Sequence, residues 1–409
     1  MNNKHFDMVL YGATSFVGQI TARYLLQELG ASGDIKWAIA GRSESKLNQL
    51  KTSLGNTATD LPMLVADSSD DHSLDRLCQQ TRVIISTVGP YALYGEPMIK
   101  ACVENGNDYC DLTGEAYWIK QMIDKYQNKA KETGARIINC CGFDSIPSDL
   151  GTYFLQQTAH KRFAAYFDRV KLGVRAMKGG ASGGTIASMI EMLIAAKANT
   201  KVRKAMANPY LLCPQNHSHK VRQMRLKGAA YDKDFQCWSA PFVMEGINTR
   251  VVLRSHGLQS MPYGDQFSYS EIMLTGKGGK GRIRALSLSV GLGVFVMSAF
   301  ITPLRKLMQK FLLPKPGEGP SEQEQINGFF DMRILGKNDQ HKLIVKVTGD
   351  RDPGYGSTAK MLGQSALCIA LDIDKAELPG GFWTPATAMG DQLIERLSQH
   401  AGLAFEVIS

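Results

Sequence analysis

The sequence predicts an α/β protein: a Rossmann-type parallel-sheet domain followed by a second, α+β domain with a mixed sheet. Three observations carry this. Over the first 150 residues, short apolar runs alternate with helical stripes, the pattern of βαβ units. A loop bounded by glycines, Gly12-Ala13-Thr14-Ser15-Phe16-Val17-Gly18, stands between the first run and the first helix. Beyond residue 150 the runs lengthen and alternate apolar with polar residues, as in antiparallel sheets with one solvated face.

The elements follow in order. Phe6–Tyr11 is a short apolar strand, and Phe16–Leu29 a helix with apolar residues at 16, 17, 20, 25, 26 and 29, stopped by Gly30. Strands at Lys36–Ala40, Met63–Ala66, Val83–Ser86, Asp108–Leu112 and Arg136–Cys140 alternate with helices near Glu44–Leu54, Asp71–Gln80, Gly95–Asn105 and Ala116–Thr133. A helix begins near Pro147. Half-buried strands are then expected at Val170–Ala176, Val251–Arg254, Phe267–Thr275 and Lys342–Thr348, with a helix near Ala187–Met206 and a Pro/Gly-rich stretch at Pro314–Pro320. Helices at Ser357–Asp372 and Thr387–His400 close the chain. The expected domains are 1–150 for the nucleotide and 151–354 for substrate and dimerisation. The helices of 355–409 are expected to return to the first domain.

Composition narrows the function. Of 409 residues, 44% are hydrophobic and 21% charged, which excludes a disordered chain, a collagen and a coiled-coil rod. A net charge of +9 favours anionic partners — phosphates, a carrier phosphopantetheine, lipid head groups or nucleic acid — without choosing among them. Eight cysteines form no C-x-x-C pair, so they read as core residues in a reducing cytoplasm, and no metal site is expected. His217 and His219 read as surface residues. The N-terminus enters a strand at once, so no signal peptide is expected.

The 12–18 loop supplies what a pyrophosphate needs: a tight turn at Gly12, close helix packing at Gly18, and backbone amides at a helix N-terminus. Ser15 replaces the usual middle glycine and could offer its hydroxyl to phosphate. At the tip of the second strand, Arg42-Ser43 and Lys46 stand where an NAD site carries an acid. A guanidinium there grips a 2′-phosphate, so NADP(H) is the expected cofactor; a solvated basic helix start is the alternative. Asp67 and Thr87-Val88-Gly89-Pro90 end the next strands at the same crevice, although Gly89-Pro90 also reads as an ordinary turn.

Seven motifs together resemble the saccharopine dehydrogenase-like reductases: Gly12–Gly18, Ala40–Ser43, Thr87–Tyr91, Asp108–Glu115, Cys141–Asp149, Asp352–Met361 and Gly380–Asp391. The nearest branch includes the trans-acting enoyl reductases, which reduce polyketide or lipid acyl chains. The resemblance implies a Rossmann domain, a mixed-sheet substrate and dimerisation domain, and NADP(H). It also implies that Gly142, Phe143 and Asp144 lie near the nicotinamide. Asp144 would either relay a proton or cap the helix near Pro147. Asp111 and Glu115 flank the same edge, as an acid/base pair or as a charged helix start.

No Tyr-x-x-x-Lys, His-Glu-x-x-His, Gly-x-Ser-x-Gly or Walker motif is present. The motifs therefore identify no catalytic acid; Asp144, Tyr91 and Tyr355 are the candidates, with Tyr94 beside them, and packing explains each tyrosine equally well. Arg175, Arg250 and Arg254 are candidates for substrate carboxylates, but they alternate with apolar residues on strands, and solvated faces explain most of them. The expected activity is reduction of an acyl or enoyl substrate, free or carrier-bound, by a homodimer that does not bind nucleic acid. The alternatives are a non-catalytic NADP(H) sensor at a lipid surface and a saccharopine-type dehydrogenase. Ala285–Leu304 holds no charged residue. It is expected to form a helix covering an apolar substrate or resting on a membrane surface, with a core or dimer-interface helix as the alternative.

Overall fold

The computed structural model describes residues 4–179, 183–311 and 319–409. The chain forms two units. One is built mainly from Met1–Phe143 and Tyr355–Ala401, the other mainly from Asp144–Pro316, Pro320–Gly354 and Gly402–Ser409.

The first unit holds strands β1 (Phe6–Tyr11), β2 (Trp37–Gly41), β3 (Met63–Val65), β4 (Thr81–Ser86), β5 (Asp108–Asp111), β6 (Arg136–Ile138) and β13 (Gly381–Trp383). All pairings are parallel, in the order β3-β2-β1-β4-β5-β6-β13. This is the doubly wound order extended by one strand, and its switch point lies between β1 and β4. Met8, Val9 and Leu10 of β1 are fully buried, as expected for a strand covered on both faces. The helices are α1 (Phe16–Leu29), α2 (Glu44–Leu54), α3 (Asp71–Gln80), α4 (Tyr91–Tyr94), α5 (Glu96–Asn105), α6 (Ala116–Thr133), α14 (Gly356–Leu371) and α15 (Pro385–His400).

Helix α14 is buried along nearly its whole length and packs on α1, α15, β4 and β5; a helix apolar all round must lie inside. Its C-terminal carbonyls meet a buried cation. Arg136 donates to Ile369 O (3.0 Å) and Ile373 O (2.9 Å) and forms a two-point pair with Asp108 (2.8 and 2.6 Å). All eight cysteines are free and buried.

The second unit contains β7 (Arg169–Lys178), β8 (Ala230–Asp232), β9 (Cys237–Pro241), β10 (Ser268–Gly276), β11 (Phe329–Lys337), β12 (Lys342–Gly349) and β14 (Leu403–Val407). The sheet order is β14-β12-β11-β7-β10-β9-β8, with β7 and β10 parallel and the other pairs antiparallel. Its helices are α7 (Ile146–Phe163), α8 (Gly183–Ala198), α9 (Thr200–Ala207), α10 (Glu245–Leu258), α11 (Gly278–Phe300), α12 (Thr302–Phe311) and α13 (Glu322–Ile326). Helix α7 packs on β11 and β12, α10 on α7 and β10, and α11 on β9 and β10.

Several expectations need correction. Val251–Arg254 lies inside α10, not in a strand; three apolar residues in a row, Val251–Leu253, do not separate a buried helix from a buried strand. The helix expected at 187–206 is broken at Asn199, whose side chain accepts from the Lys201 amide and starts α9. Leu403–Val407 pairs with β12, so the chain end after α15 belongs to the second unit. Of Pro314–Pro320, residues 314–318 lie outside the described residues.

Candidate nucleotide site

The loop after β1 is built by exclusion. Gly12 has φ +85°, and a Cβ there would stand 2.7 Å from Val88 Cγ2 and 2.8 Å from Thr87 Oγ1. A Cβ on Gly18 would stand 2.3 Å from Gly12 O. The two glycines therefore let the start of α1, the loop and the end of β4 close on one another. Ser15 caps α1: its Oγ accepts from Gly18 N (3.0 Å) and donates to Thr87 Oγ1 (3.1 Å), which in turn donates to Gly12 O (2.9 Å). The Ser15 hydroxyl is thus engaged with the α1 amide of Gly18 and with Thr87 at the end of β4.

Among the described residues, the amides of Thr14, Phe16 and Val17 donate to no group. They belong to the half-buried Thr14–Val17 segment, whose first-turn donors have no intrahelical acceptor. Together with the positive end of α1, this cradle fits a dinucleotide pyrophosphate. Ala13 is fully buried and serves the turn, its amide bonding Ala40 O (3.1 Å).

The tip of β2 faces solvent. Arg42 and Lys46 are exposed, and neither forms an ion pair among the described residues. Ser43 caps α2, accepting from the Lys46 amide at 3.3 Å. Asp67 lies two residues beyond β3; hydrogen bonds from the Ser69 amide and hydroxyl (both 2.9 Å) hold its carboxyl below the usual range, and the Arg42 charge adds to this. Two cations and an ionised carboxylate therefore stand at neighbouring strand ends.

Two buried carboxylates position the loops after β4 and β6. Glu115 accepts from the amides of Tyr91 and Ala92, both at 2.9 Å, fixing the turn that carries Val88, Gly89 and Pro90. Asp111 accepts from the amides of Thr113 and Cys140 (both 3.1 Å) and from Asn139 Nδ2 (2.8 Å). Burial pushes its carboxyl up to about 7. Cys140 has φ +64°, a left-handed conformation costly for a side-chain-bearing residue, and the Asp111 bond holds it there. The chain then passes Gly142, where a Cβ would lie 2.9 Å from Leu112 Cδ2, and Phe143, whose amide donates to Thr358 Oγ1 of α14 (3.0 Å). Asp111 and Glu115 are therefore positioning groups. A buried charge in the strand run Asp-Tyr-Cys-Asp was the available signal, because such a charge needs partners.

The tyrosines serve the interior. Tyr91 donates to Ser86 O (3.0 Å) and accepts from the Leu112 amide (3.1 Å), and burial raises its hydroxyl well above the usual range. It is not available as a proton donor. Tyr355 is 5% exposed, and its ring meets that of Phe16 edge-on, with centroids 4.7 Å apart. It thereby buttresses the start of α1.

Asp144 opens the second unit. It is half-buried, and desolvation raises its carboxyl to about 7. It does not cap α7: the N-cap is Ser145, with no side-chain cap bond. Ser145 Oγ donates instead to Asn248 Oδ1 (3.1 Å), and Asn248 Nδ2 to Glu271 Oε2 (2.9 Å). Tyr269 donates to Glu271 Oε1 (2.6 Å), and burial raises the Glu271 carboxyl to about 7. Sequence reading did not find this network, whose members are distant in the chain.

The three arginines offered for substrate carboxylates are occupied. Arg175 pairs with Asp331 (3.1 Å). Arg250 bonds the carbonyls of Asn208, Gly246 and Met206, and Arg254 that of Leu212. Burial lowers both of these guanidinium groups to about 10. His217 and His219 are not surface residues but half-buried members of a ring stack with Tyr210 and His256.

Residues 8–138 match the model of a saccharopine dehydrogenase NADP binding domain. A Mycobacterium tuberculosis protein with a provisional trans-acting enoyl reductase name is 38% identical over 409 residues, spanning 96% of each chain. A Mycobacterium ulcerans protein named trans-acting enoyl reductase is 34% identical over 411 residues, spanning 97% of this chain and 96% of that one. Among solved structures, the saccharopine dehydrogenase (L-Glu forming) of Saccharomyces cerevisiae shares the fold, with a TM-score of 0.53 over 98% of this chain and 99% of that chain at 14% identity.

Proposed function

Because the chain belongs to the saccharopine dehydrogenase-like family, with trans-acting enoyl reductases among its full-length relatives, we propose that it reduces the carbon–carbon double bond of an acyl substrate. Its cofactor is NADP(H). In this reading the amides of Thr14, Phe16 and Val17 receive the pyrophosphate, and Arg42, Ser43 and Lys46 receive the 2′-phosphate. Asp67 lies on the adenine side. Thr87–Pro90 and Gly142-Phe143 border the ribose and nicotinamide. Held there, NADPH would supply the hydride for the β carbon of the enoyl group. The protonated Asp144 then gives its proton to the α carbon and regains one from water.

The full-length likeness to the trans-acting enoyl reductases carries the reading; Asp144, one residue after Phe143, with no hydrogen bond among the described residues and a carboxyl that burial raises to about 7, is the acid it uses. A group poised near neutrality is suited to general acid work. The occupied arginines argue against an amino-acid substrate with several carboxylates.

The test is NADPH oxidation with an α,β-unsaturated acyl thioester, comparing the native protein with Asp144→Asn. The native rate falls as pH rises through about 7, because only the protonated acid donates. The variant binds NADPH unchanged and loses about 10²–10⁴ in kcat. No turnover by the native protein with cofactor bound, or a variant with the native rate and pH profile, would sink the proposal.

A further inference from the structure

Helix α11 is built the wrong way round for a soluble protein. The residues it buries are Gly281, Ala285, Ser298 and Ala299, all small. Those it turns to solvent include Ile283 (66% exposed), Leu286, Val290 (63%), Val294 and Met297 (61%). Among the described residues it is the one helix long and apolar enough to cross a membrane. A contiguous apolar face of this kind marks an interaction surface.

The charges around it identify the occupant. From Ile272 to Gly317 the sequence has eight Lys and Arg and not one Asp or Glu. Lys277, Lys280 and Arg282 precede the apolar face and Arg284 lies at its start; Arg305 and Lys306 follow it. None of these six forms an ion pair among the described residues. Three of them also sit at the positive end of α11, which has no acid in its first turn. Cations there are unfavourable unless an anion joins them.

We propose that α11 docks the protein on an anionic bilayer, lying in the plane of the interface. Its apolar face enters the acyl boundary and the flanking cations meet phosphate head groups. A second copy is a poorer occupant, since it would bring the same cations to the contact and no acid to meet them. A membrane span is also disfavoured. Both ends of the helix are tied to the second unit, through Thr275 Oγ1 to Gly281 O (2.9 Å) and Lys197 Nζ to Phe300 O (2.8 Å). Its small-residue face packs on β9, β10 and α8.

The experiment is co-sedimentation of the full chain with vesicles of phosphatidylcholine alone or mixed with phosphatidylglycerol. The native protein is expected to pellet with the anionic vesicles, and high salt to release it. Val290→Glu/Val294→Glu alters exposed positions, so its unfolding transition and NADPH affinity should be unchanged. The lipid concentration for its half-binding should rise about tenfold or more. The inference falls if the native protein stays in the supernatant, if the variant binds as well as native, or if neutral vesicles bind equally. It also falls if salt and alkaline washes leave the protein embedded, or if the variant instead dissolves a dimer that binds no vesicles. These results do not depend on which substrate is reduced.

Discussion

Replacing Arg42 with alanine tests the cofactor site most sharply. The side chain is exposed and forms no ion pair among the described residues, so its removal leaves no buried partner stranded and should not disturb folding. What would be lost, on the proposed assignment, is its bond to the 2′-phosphate. A charge-assisted hydrogen bond contributes about 1.5–3 kcal/mol, equivalent to about a 10- to 150-fold rise in the Kd for NADPH. The lower part of that range is expected, because solvent and salt screen an exposed contact. NADH has no 2′-phosphate, so its Kd should change by less than about twofold. Titrating intrinsic fluorescence with each nucleotide at low salt measures both. Lys46→Ala should act in the same direction, and the double variant should leave NADPH and NADH nearly equal. Equal weakening of both nucleotides by Arg42→Ala would refute the assignment, since it would place Arg42 on a group the two share.

Other perturbations follow from the same geometry. Gly12→Ala must place its Cβ 2.7 Å from Val88 Cγ2 at φ +85°; strain and overpacking together should cost about 2–5 kcal/mol and abolish NADPH binding, so native stability with native affinity would contradict the close approach. Arg136→Met strands the buried Asp108 carboxylate and should cost about 3–5 kcal/mol in denaturant unfolding, whereas Arg136→Met/Asp108→Leu should cost less than the single change; a harmless single variant would refute the role given to the pair. Asp111 and Glu271 both sit at about 7 when folded, above their unfolded values of ~4. Between pH ~4 and ~7 the folded state thus holds more protons than the unfolded state, so stability should fall as pH rises through that window and level off above it. Thermal unfolding at intervals from pH 5 to 8 checks the sign, and Asp111→Asn should flatten the slope.

The first unit was largely legible in the sequence because its rules are local. A strand buried on both faces is a short apolar run, a helix shows its stripe, and a phosphate loop is a handful of adjacent residues. Gly12, at its tight turn, and Gly18, at its close helix packing, could be named on that basis. The second unit was less legible. Val251–Arg254 was read as a strand, although as part of α10 it is buried along with its neighbours and shows no face. Short edge strands such as β8, β13 and β14 carry too few residues for a period.

What the sequence determined by itself was the class of fold and the kind of cofactor, both set by patterns within a few residues. Tertiary structure decided which polar residues are occupied. Tyr91 and Arg254 are as chemically able as Asp144, but each is buried with its hydrogen bonds already made within the protein. Asp144 is held near neutrality by desolvation alone, with no bond among the described residues. Whether a side chain has a partner depends on contacts between segments far apart in the chain, such as Asn248 with Ser145 and Glu271. The uncharged run at 285–304 gave its length and apolarity to the reader of the sequence, but only packing showed that its small residues face inward and its large ones outward.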